Sequence, residues 1–379
     1  MKITRVEIIP LVRQLEEAFE GGTYRIVNRN TLVTRIYTDV GIVGQVFGGD
    51  EDQRQAQVVQ VVRDYFAPLL IGEDVRNTER LWQKMFQCKM DLGNRGLHVL
   101  DLNNQAIKMQ AIACVDMAVW DALGKLYNVP LYQLLGGCRD RVPIIAIGGY
   151  YQEGQGTGDI REEIQYYKSQ QLAGVKFKVG RASVDEDVER VRIARDAAGD
   201  DFIITVDANQ AWTPDEAIAF CRKAAQLNIR WVEEPVRWYD QFEGLRLVRE
   251  SAPIPVNAGQ GEISRYGCRD LVVYGRVNIL NVDVTIAGGV TEWMKIAAMA
   301  DHYHVKMAHH EEPQVALHLL AAVPHSLYVE IFPNPKRDPM WFELPVQQPR
   351  IRGGYMELPS GPGLGITLND SVIEKYRVS

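Results

Sequence analysis

The sequence predicts an α/β fold, in which a (β/α)8 TIM barrel is joined to a second, smaller α+β region. The 379 residues are 46% hydrophobic and 24% charged, which is an ordinary globular composition on a chain too long for one small domain. Eight short runs rich in Val and Ile alternate with helical patterns between residues 142 and 332. Right-handed crossovers that join eight parallel strands close a barrel.

Polar side chains follow six of these runs at the point where each run ends. They are Lys176 and Lys178, Asp207 and Asn209, Glu233 and Glu234, Glu262, Asp283, and His310. An α/β barrel builds its active site at the C-terminal ends of its strands. We therefore expect these side chains to meet at the barrel mouth.

The rest of the chain divides by its periodicity. Residues 1–50 alternate like antiparallel strands, and residues up to 135 have a helical period. Two acids in an apolar helix of this region, Asp116 and Asp121, are expected to be hydrogen-bonded structural groups. We predict an N-terminal domain at 1–135, a barrel at 136–345 and a tail at 346–379 that packs on the N-terminal domain.

A glycine pair separates the first two predicted strands. Gly21 and Gly22 predict a flexible loop that carries Glu17, Phe19, Tyr24 and Arg25. The loop is either a surface hairpin turn or a lid over the barrel mouth.

Charge and composition exclude several functions. The net charge of −7 gives no electrostatic support for nucleic-acid binding, and no apolar run is long enough to span a bilayer. The first ten residues alternate like a strand and lack the apolar core of a signal peptide. Five dispersed cysteines without a C-x-x-C pair are typical of reduced thiols, so we expect a cytoplasmic protein.

Three carboxylates close successive strands about one strand–helix unit apart. Asp207, Glu233 and Glu262 cannot lie together ionised unless a cation neutralises them. Oxygen ligands select a hard cation, with Mg²⁺ as the first choice. The alternative is that all three are ordinary exposed carboxylates at strand ends.

Acid–base groups occupy neighbouring strands. Lys176 and Lys178 share one strand face, where each ammonium group should depress the pKa of the other and make one lysine a base. Alternatively, they are ion-pair partners of the carboxylates. Asp283 could fix the tautomer of His310, and only one of His309 and His310 can point into the barrel. Glu330 ends the last strand. It is either a hydrogen-bond donor in its protonated form or an ordinary charge at the rim of the barrel.

This set resembles the mandelate racemase subgroup of the enolase superfamily. The matching segments are Lys176-x-Lys178, Asp207-Ala-Asn209, Glu233-Glu234-Pro235, Gly261-Glu262, Asp283 with Gly288-Gly289, His310, Glu330, the helix of Asp116 and Asp121 followed by Leu135-Gly136-Gly137, and Pro362-Gly363-Leu364-Gly365. One departure is that the run from Pro255 to Glu262 is longer than the family's usual run into its third metal ligand.

The resemblance implies a modified barrel with an α+β cap formed by both termini, in a homo-oligomer. It also implies that Asp207, Glu233 and Glu262 bind Mg²⁺, and that Lys178 and His310 are acid–base groups on opposite faces of a carboxylate substrate. The remaining roles that it implies are stabilisation of the enediolate by Lys176, Asn209 and Glu330, and orientation of His310 by Asp283.

The reaction implied by the resemblance is removal of the proton α to a carboxylate. Dehydration of an acid sugar, an aldonate or aldarate, to a 2-keto-3-deoxy acid is the first choice. Tyr24, Arg25 and Arg95 could then bind the distal end of the substrate. Racemisation or epimerisation, cycloisomerisation of a sugar lactone, and a non-catalytic sugar-acid binding protein are the alternatives.

Overall fold

The structure is a computed structural model that describes residues 1–49, 54–90, 102–152 and 156–378. Its N-terminal part begins with three antiparallel strands in the order β1-β2-β3. Their bounds are β1 Ile3–Glu20, β2 Arg25–Thr38 and β3 Val43–Gly48. Arg95, which the sequence suggested as a substrate contact, lies outside the described residues.

The flexible loop expected between the first two strands is instead a long β-hairpin. β1 continues to Glu20 and β2 resumes at Arg25, so only four residues form the turn. Phe19 pairs with Ile26 beyond a shift in the strand register. Leu15 and Phe19 are buried in a small apolar cluster with residues of the barrel domain, and this burial extends the hairpin.

Helices follow the sheet and complete the cap. They are Gln55–Gln60, Val61–Phe66 (a π-helical segment), Ala67–Leu70, Thr78–Gln87 and Leu102–Tyr127. The last of these carries the two acids expected to be structural. Asp116 accepts from the Thr291 N–H at 2.9 Å, and Asp121 accepts from the Gln45 N–H at 2.7 Å. Both acids therefore fasten the cap helix to neighbouring segments.

The predicted eight-stranded parallel barrel is present. Its strands are β4 Arg141–Gly148, β5 Gly174–Lys178, β6 Ile203–Asp207, β7 Ile229–Glu233, β8 Val256–Ala258, β9 Ile279–Leu280, β10 Lys306–Met307 and β11 Val329–Ile331. Neighbours pair in sequence from β4 to β10, and β11 pairs with β4. A parallel bridge between Met307 and Ser326 closes the remaining gap.

Helices precede, connect and follow the barrel strands. The α-helices are Leu131–Leu134, Thr157–Ser169, Val184–Ala198, Pro214–Lys223, Gln241–Ser251, Arg265–Val273, Gly289–His302, Pro313–Ala322 and Pro339–Glu343, with 3-10 turns at Ala225–Leu227 and Trp238–Asp240. Their starts follow local sequence rules. Thr213, for example, accepts from the Glu216 N–H in a capping box before Pro214.

The tail contacts both parts of the molecule. β12 (Ile351–Arg352) and β13 (Tyr355–Glu357) form a hairpin, and β13 adds antiparallel to β4 of the barrel. The Leu364 N–H donates to Asp121 of the cap helix at 2.7 Å, and a final helix spans Asp370–Tyr376. No helix in the described part of the chain has the length and apolarity that a membrane span requires.

Candidate active site

A cavity of about 440 Å³ lies between the cap and the barrel mouth. The barrel side contributes the polar ends of its strands, and the cap side contributes a more apolar wall. Residues from the barrel are Lys178, Asn209, Gln210, Gln260, Asp283 and His310, and residues from the cap include Tyr24, Ile26, Leu32, Val58, Gln110 and Cys114. The cavity therefore joins predicted acid–base residues to a wall that can shape the far end of a ligand.

Strand register brings the predicted lysines and two of the carboxylates together. Lys178 is directly opposite Asp207, and Asp207 is opposite Glu233 in the adjacent pair of strands. The Lys178 Nζ donates to Asp207 at 2.7 Å, and the Lys176 Nζ donates to Glu233 at 2.8 Å. Lys176 also donates to Glu330 at 2.7 Å, so Glu330 is a buried partner and not a rim charge.

The expectation that Lys176 and Lys178 would depress each other's pKa is wrong in this arrangement, and the alternative, ion pairing with the carboxylates, is the one observed. Burial favours the neutral form of each lysine, yet Glu233, Glu330 and Asp207 outweigh burial at Lys176 and raise its pKa. At Lys178, Asp207 and then Tyr24 outweigh burial in the same way. Burial likewise acts to raise the pKa of Asp207, but Lys178 and Lys176 hold that pKa below its usual range. The sequence showed the like charges on one strand but not how many carboxylates face them.

His310 lies between two carboxylates at the opposite side of the cavity. Its Nδ1 is 3.0 Å from Asp283 Oδ2, as expected, and its Nε2 is 3.5 Å from Glu311 Oε1. Burial lowers the pKa of His310, but Glu311 and the Asp283 hydrogen bond together raise it to about 9. This pKa favours the protonated imidazolium at neutral pH. Asp283 holds Nδ1, and Nε2 faces Glu311.

His309 points away from the cavity, as the alternation predicted. Its Nε2 accepts from the Val284 N–H at 3.1 Å, and its Nδ1 is 2.9 Å from the His310 carbonyl oxygen. These contacts assign the ring proton to Nδ1, and burial lowers the pKa of the imidazole. His309 is therefore a neutral structural residue behind the mouth.

The third predicted metal ligand does not join the other two. The Glu262 carboxylate accepts from Gln241 at 3.3 Å and packs against Gly267, both on helices outside the barrel. Within the described ranges, no group of three His, Cys, Asp or Glu side chains is arranged to hold a metal ion. Gln260, two residues earlier, lines the cavity instead.

The hairpin tip covers one edge of the mouth. Thr23 Oγ1 donates to the Asn209 carbonyl oxygen at 2.9 Å, and the Tyr151 N–H donates to the Glu20 carbonyl at 3.1 Å. Tyr24 lines the cavity with its ring centroid 5.5 Å from the Lys178 Nζ. Arg25 does not line it: its side chain is 67% exposed and lies 3.5 Å from Glu20.

Sequence reasoning missed two polar residues of the cavity, Gln260 and Glu311. Glu234, which was expected at the mouth, accepts the backbone N–H groups of Gly259 and Gln260 at 2.8 and 3.3 Å. The departure in chain length before Glu262 was the one signal for Gln260. Glu311 adjoins His310 in sequence but adopts φ +50, a left-handed conformation that strand alternation does not predict.

The capped barrel, with acid–base residues at its strand ends, defines an enzyme of the enolase superfamily. A model described as "Mandelate racemase / muconate lactonizing enzyme, N-terminal domain" matches residues 22–136, and one described as "Enolase C-terminal domain-like" matches residues 159–372. The chain belongs to the mandelate racemase/muconate lactonizing enzyme family.

Relatives span the whole molecule. An arabinonate dehydratase from Saccharolobus solfataricus is 32% identical over 354 residues, which cover 91% of this chain and 90% of the relative. A D-galactarolactone cycloisomerase from Agrobacterium fabrum is 31% identical over 395 residues, covering 100% and 99%. The crystal structure of a marine actinobacterial family member in complex with magnesium is 43% identical, with a TM-score of 0.89 and coverage of 100% and 99%.

Proposed function

We propose that this protein is a Mg²⁺-dependent dehydratase of an acid sugar, an aldonate or aldarate, which it converts to a 2-keto-3-deoxy acid. The observation that carries the proposal is the pairing of Lys178 and His310 in one cavity, with the His310 Nδ1 held 3.0 Å from Asp283 Oδ2. Dehydration needs a base for the proton α to the carboxylate and an acid for the departing hydroxyl group.

The side chains present fit a hard divalent cation. Asp207 and Glu233 are adjacent buried carboxylates, and the Gln260 Oε1 is a buried oxygen with no donor among the described residues. Oxygen donors of this kind suit Mg²⁺. The magnesium-containing relative at 43% identity supports the same choice. When bound, the cation supplies Lewis-acid polarisation of the substrate carboxylate and offsets the charge that develops on it.

Lys178 is the residue placed to remove the α-proton. It lies at the end of β5 with its ammonium group in the cavity, and Asp207 is its partner in the resting arrangement. Once Asp207 has another positive partner, the burial of Lys178 favours the neutral amine. The C–H bond breaks, the proton passes to Nζ, and the electron pair enters an enediolate. Lys176 places a second positive charge beside the forming anion.

His310 is placed to complete the elimination. Asp283 holds Nδ1, so Nε2 is the nitrogen that can give a proton to the β-hydroxyl group. The C–O bond breaks as water forms, and the resulting enol tautomerises to the ketone. Lys178 ends β5, and His310 follows β10. These two strands are separated by β11 and β4 on one side and by four strands on the other. The base and the acid therefore approach the substrate from different sides.

Cycloisomerisation of a sugar lactone is the second candidate, favoured by the relative at 31% identity over the whole chain. It shares the first proton abstraction but has no net loss of water. Epimerisation would instead return a proton from His310 to the opposite face of the same carbon.

A panel of aldonic acids, aldaric acids and their lactones, incubated with Mg²⁺ in D₂O, separates these reactions. Dehydration gives a semicarbazide-reactive keto product that has lost one water, whereas an isomerase gives a product of unchanged composition. Epimerisation gives deuterium at the α-carbon without keto product. If no member of the panel shows turnover or α-proton exchange, the proposal is refuted and a non-catalytic binding protein is favoured.

A further inference from the structure

The loop after β8 presents two candidate oxygen ligands, Gln260 and Glu262, and the structure separates them. β8 ends at Ala258, and Gly259 adopts φ +118, which turns the chain away from strand geometry. Glu234 then accepts the N–H groups of Gly259 and Gln260, which fixes the backbone of this turn. The turn decides which side chain reaches the cavity.

Glu262 is directed to the outside of the barrel. Its carboxylate meets Gln241 of the helix Gln241–Ser251 and packs so closely on Gly267 that a side chain at that position would collide with it. Glu262 is therefore engaged by the helical layer and does not line the cavity.

Gln260 has the opposite environment. It lines the same cavity as Lys178 and Asn209, and its Oε1 is buried without a donor in the described part of the chain. The Asn209 Oδ1, at the end of the strand that carries Asp207, is buried in the same way. A buried carbonyl oxygen without a hydrogen bond costs about 1–3 kcal/mol, so such oxygens mark places where a ligand or ion is bound.

We infer that the third protein ligand of the cation in the proposed function is the amide oxygen of Gln260, and that Glu262 is not a ligand. The inference rests on the proposed metal dependence. With Gln260 in place of Glu262, two carboxylates surround the cation instead of three, those of Asp207 and Glu233. A divalent cation then leaves this group neutral, and the positive charges of Lys176 and Lys178 remain available to an anionic substrate.

The test measures Mg²⁺ affinity directly, by calorimetry on the metal-free full-length protein, with Mn²⁺ titration followed by electron paramagnetic resonance as a second probe. Gln260→Leu should weaken binding on the order of 10–100-fold, the range seen when a supporting contact of a metal site is lost. Gln260→Glu should tighten binding, because it adds a third carboxylate. Glu262→Gln is the matched control, one charge removed two residues away, and should leave affinity unchanged.

Each outcome decides the matter. Unchanged affinity in Gln260→Leu, or a loss in Glu262→Gln as large as that in Gln260→Leu, would overturn the inference while leaving a metal-dependent enzyme. If circular dichroism shows that Gln260→Leu is less folded, the Mg²⁺ affinity of Gln260→Glu alone decides. In that case, an affinity of Gln260→Glu no higher than that of the wild type overturns the inference. A wild-type protein that binds neither Mg²⁺ nor Mn²⁺ would instead refute the proposed function.

Discussion

The charge state of His310 depends on a carboxylate that sequence analysis did not identify, and this dependence can be measured. Replacing Glu311 with Gln keeps the size of the side chain and removes its charge. The Glu311 Oε1 and the His310 Nε2 are 3.5 Å apart. At an effective dielectric constant of about 20, that separation gives an attraction of roughly 5 kcal/mol as an upper limit.

Solvent reduces this value, because the His310 side chain is 21% exposed. A neighbouring opposite charge typically shifts a pKa by about 1–3 units. His310 also keeps its hydrogen bond to Asp283 in the variant. We therefore expect the pKa of His310 to fall from about 9 by roughly 1–2 units in Glu311→Gln.

The sign of the functional effect follows from the acid role. His310 can protonate a leaving group only below its pKa, so activity should fall as pH rises through that pKa. In Glu311→Gln the falling limb of kcat/KM, which reports the free enzyme, should move to lower pH by the same roughly 1–2 units.

Imidazole NMR titration gives the pKa independently of turnover, with the His310 signal assigned by its absence in His310→Asn. Glu312→Gln is the control for changing a carboxyl to an amide at the next position, because burial raises the pKa of Glu312 to about 8 and the substitution removes little charge at neutral pH. An unchanged His310 pKa in Glu311→Gln, or an equal shift in Glu312→Gln, would refute the electrostatic reasoning.

Three further predictions concern the bases, the metal and the hairpin. His310→Asn should abolish dehydration yet retain α-proton exchange in D₂O, whereas Lys178→Ala should reduce both by about 10²–10⁴-fold. Full exchange and turnover in both variants would exclude Lys178 as the base and His310 as the acid. Glu233→Gln should remove most activity and weaken Mg²⁺ binding, and turnover that survives EDTA would contradict a metal role. Residues 17–30 should exchange amide hydrogens more slowly with substrate bound, and Thr23→Val should lessen that protection; equal protection in both states would count against a lid.

Regular strands explain what the sequence predicted correctly. Residues two apart on a strand share a face, and neighbouring parallel strands end at the same edge. These two rules place Lys176, Lys178, Asp207 and Glu233 together without any knowledge of side-chain packing. The same rules separate His309 from His310. The eight barrel strands were predictable because each is a buried apolar run bounded by helical sequence.

The sequence predictions failed where tertiary contacts override local patterns. Two glycines suggested a loose loop, but apolar burial on the barrel extends the hairpin to Glu20. Two lysines on one strand face suggested that each would lower the pKa of the other, but carboxylates contributed by other strands raise the pKa of both. Tyr24 is the last residue of the hairpin turn and lines the cavity, whereas Arg25 begins β2 and is exposed to solvent. Side-chain alternation predicts directions within a strand and not within a turn.

The proposed replacement of Glu262 by Gln260 as the third metal ligand shows where strand-based prediction ends. Asp207 and Glu233 are the last residues of their strands, so the strand geometry fixes their direction. Glu262 lies beyond both the last strand residue, Ala258, and a glycine whose φ of +118 is outside strand geometry. A carboxylate is the better ligand by residue type, but only a residue that the turn directs inward can bind a cation there. The hydrogen bonds of Glu234 fix that turn. The identity of the third ligand is therefore a property of the loop, and ligand preference and strand spacing alone do not predict it.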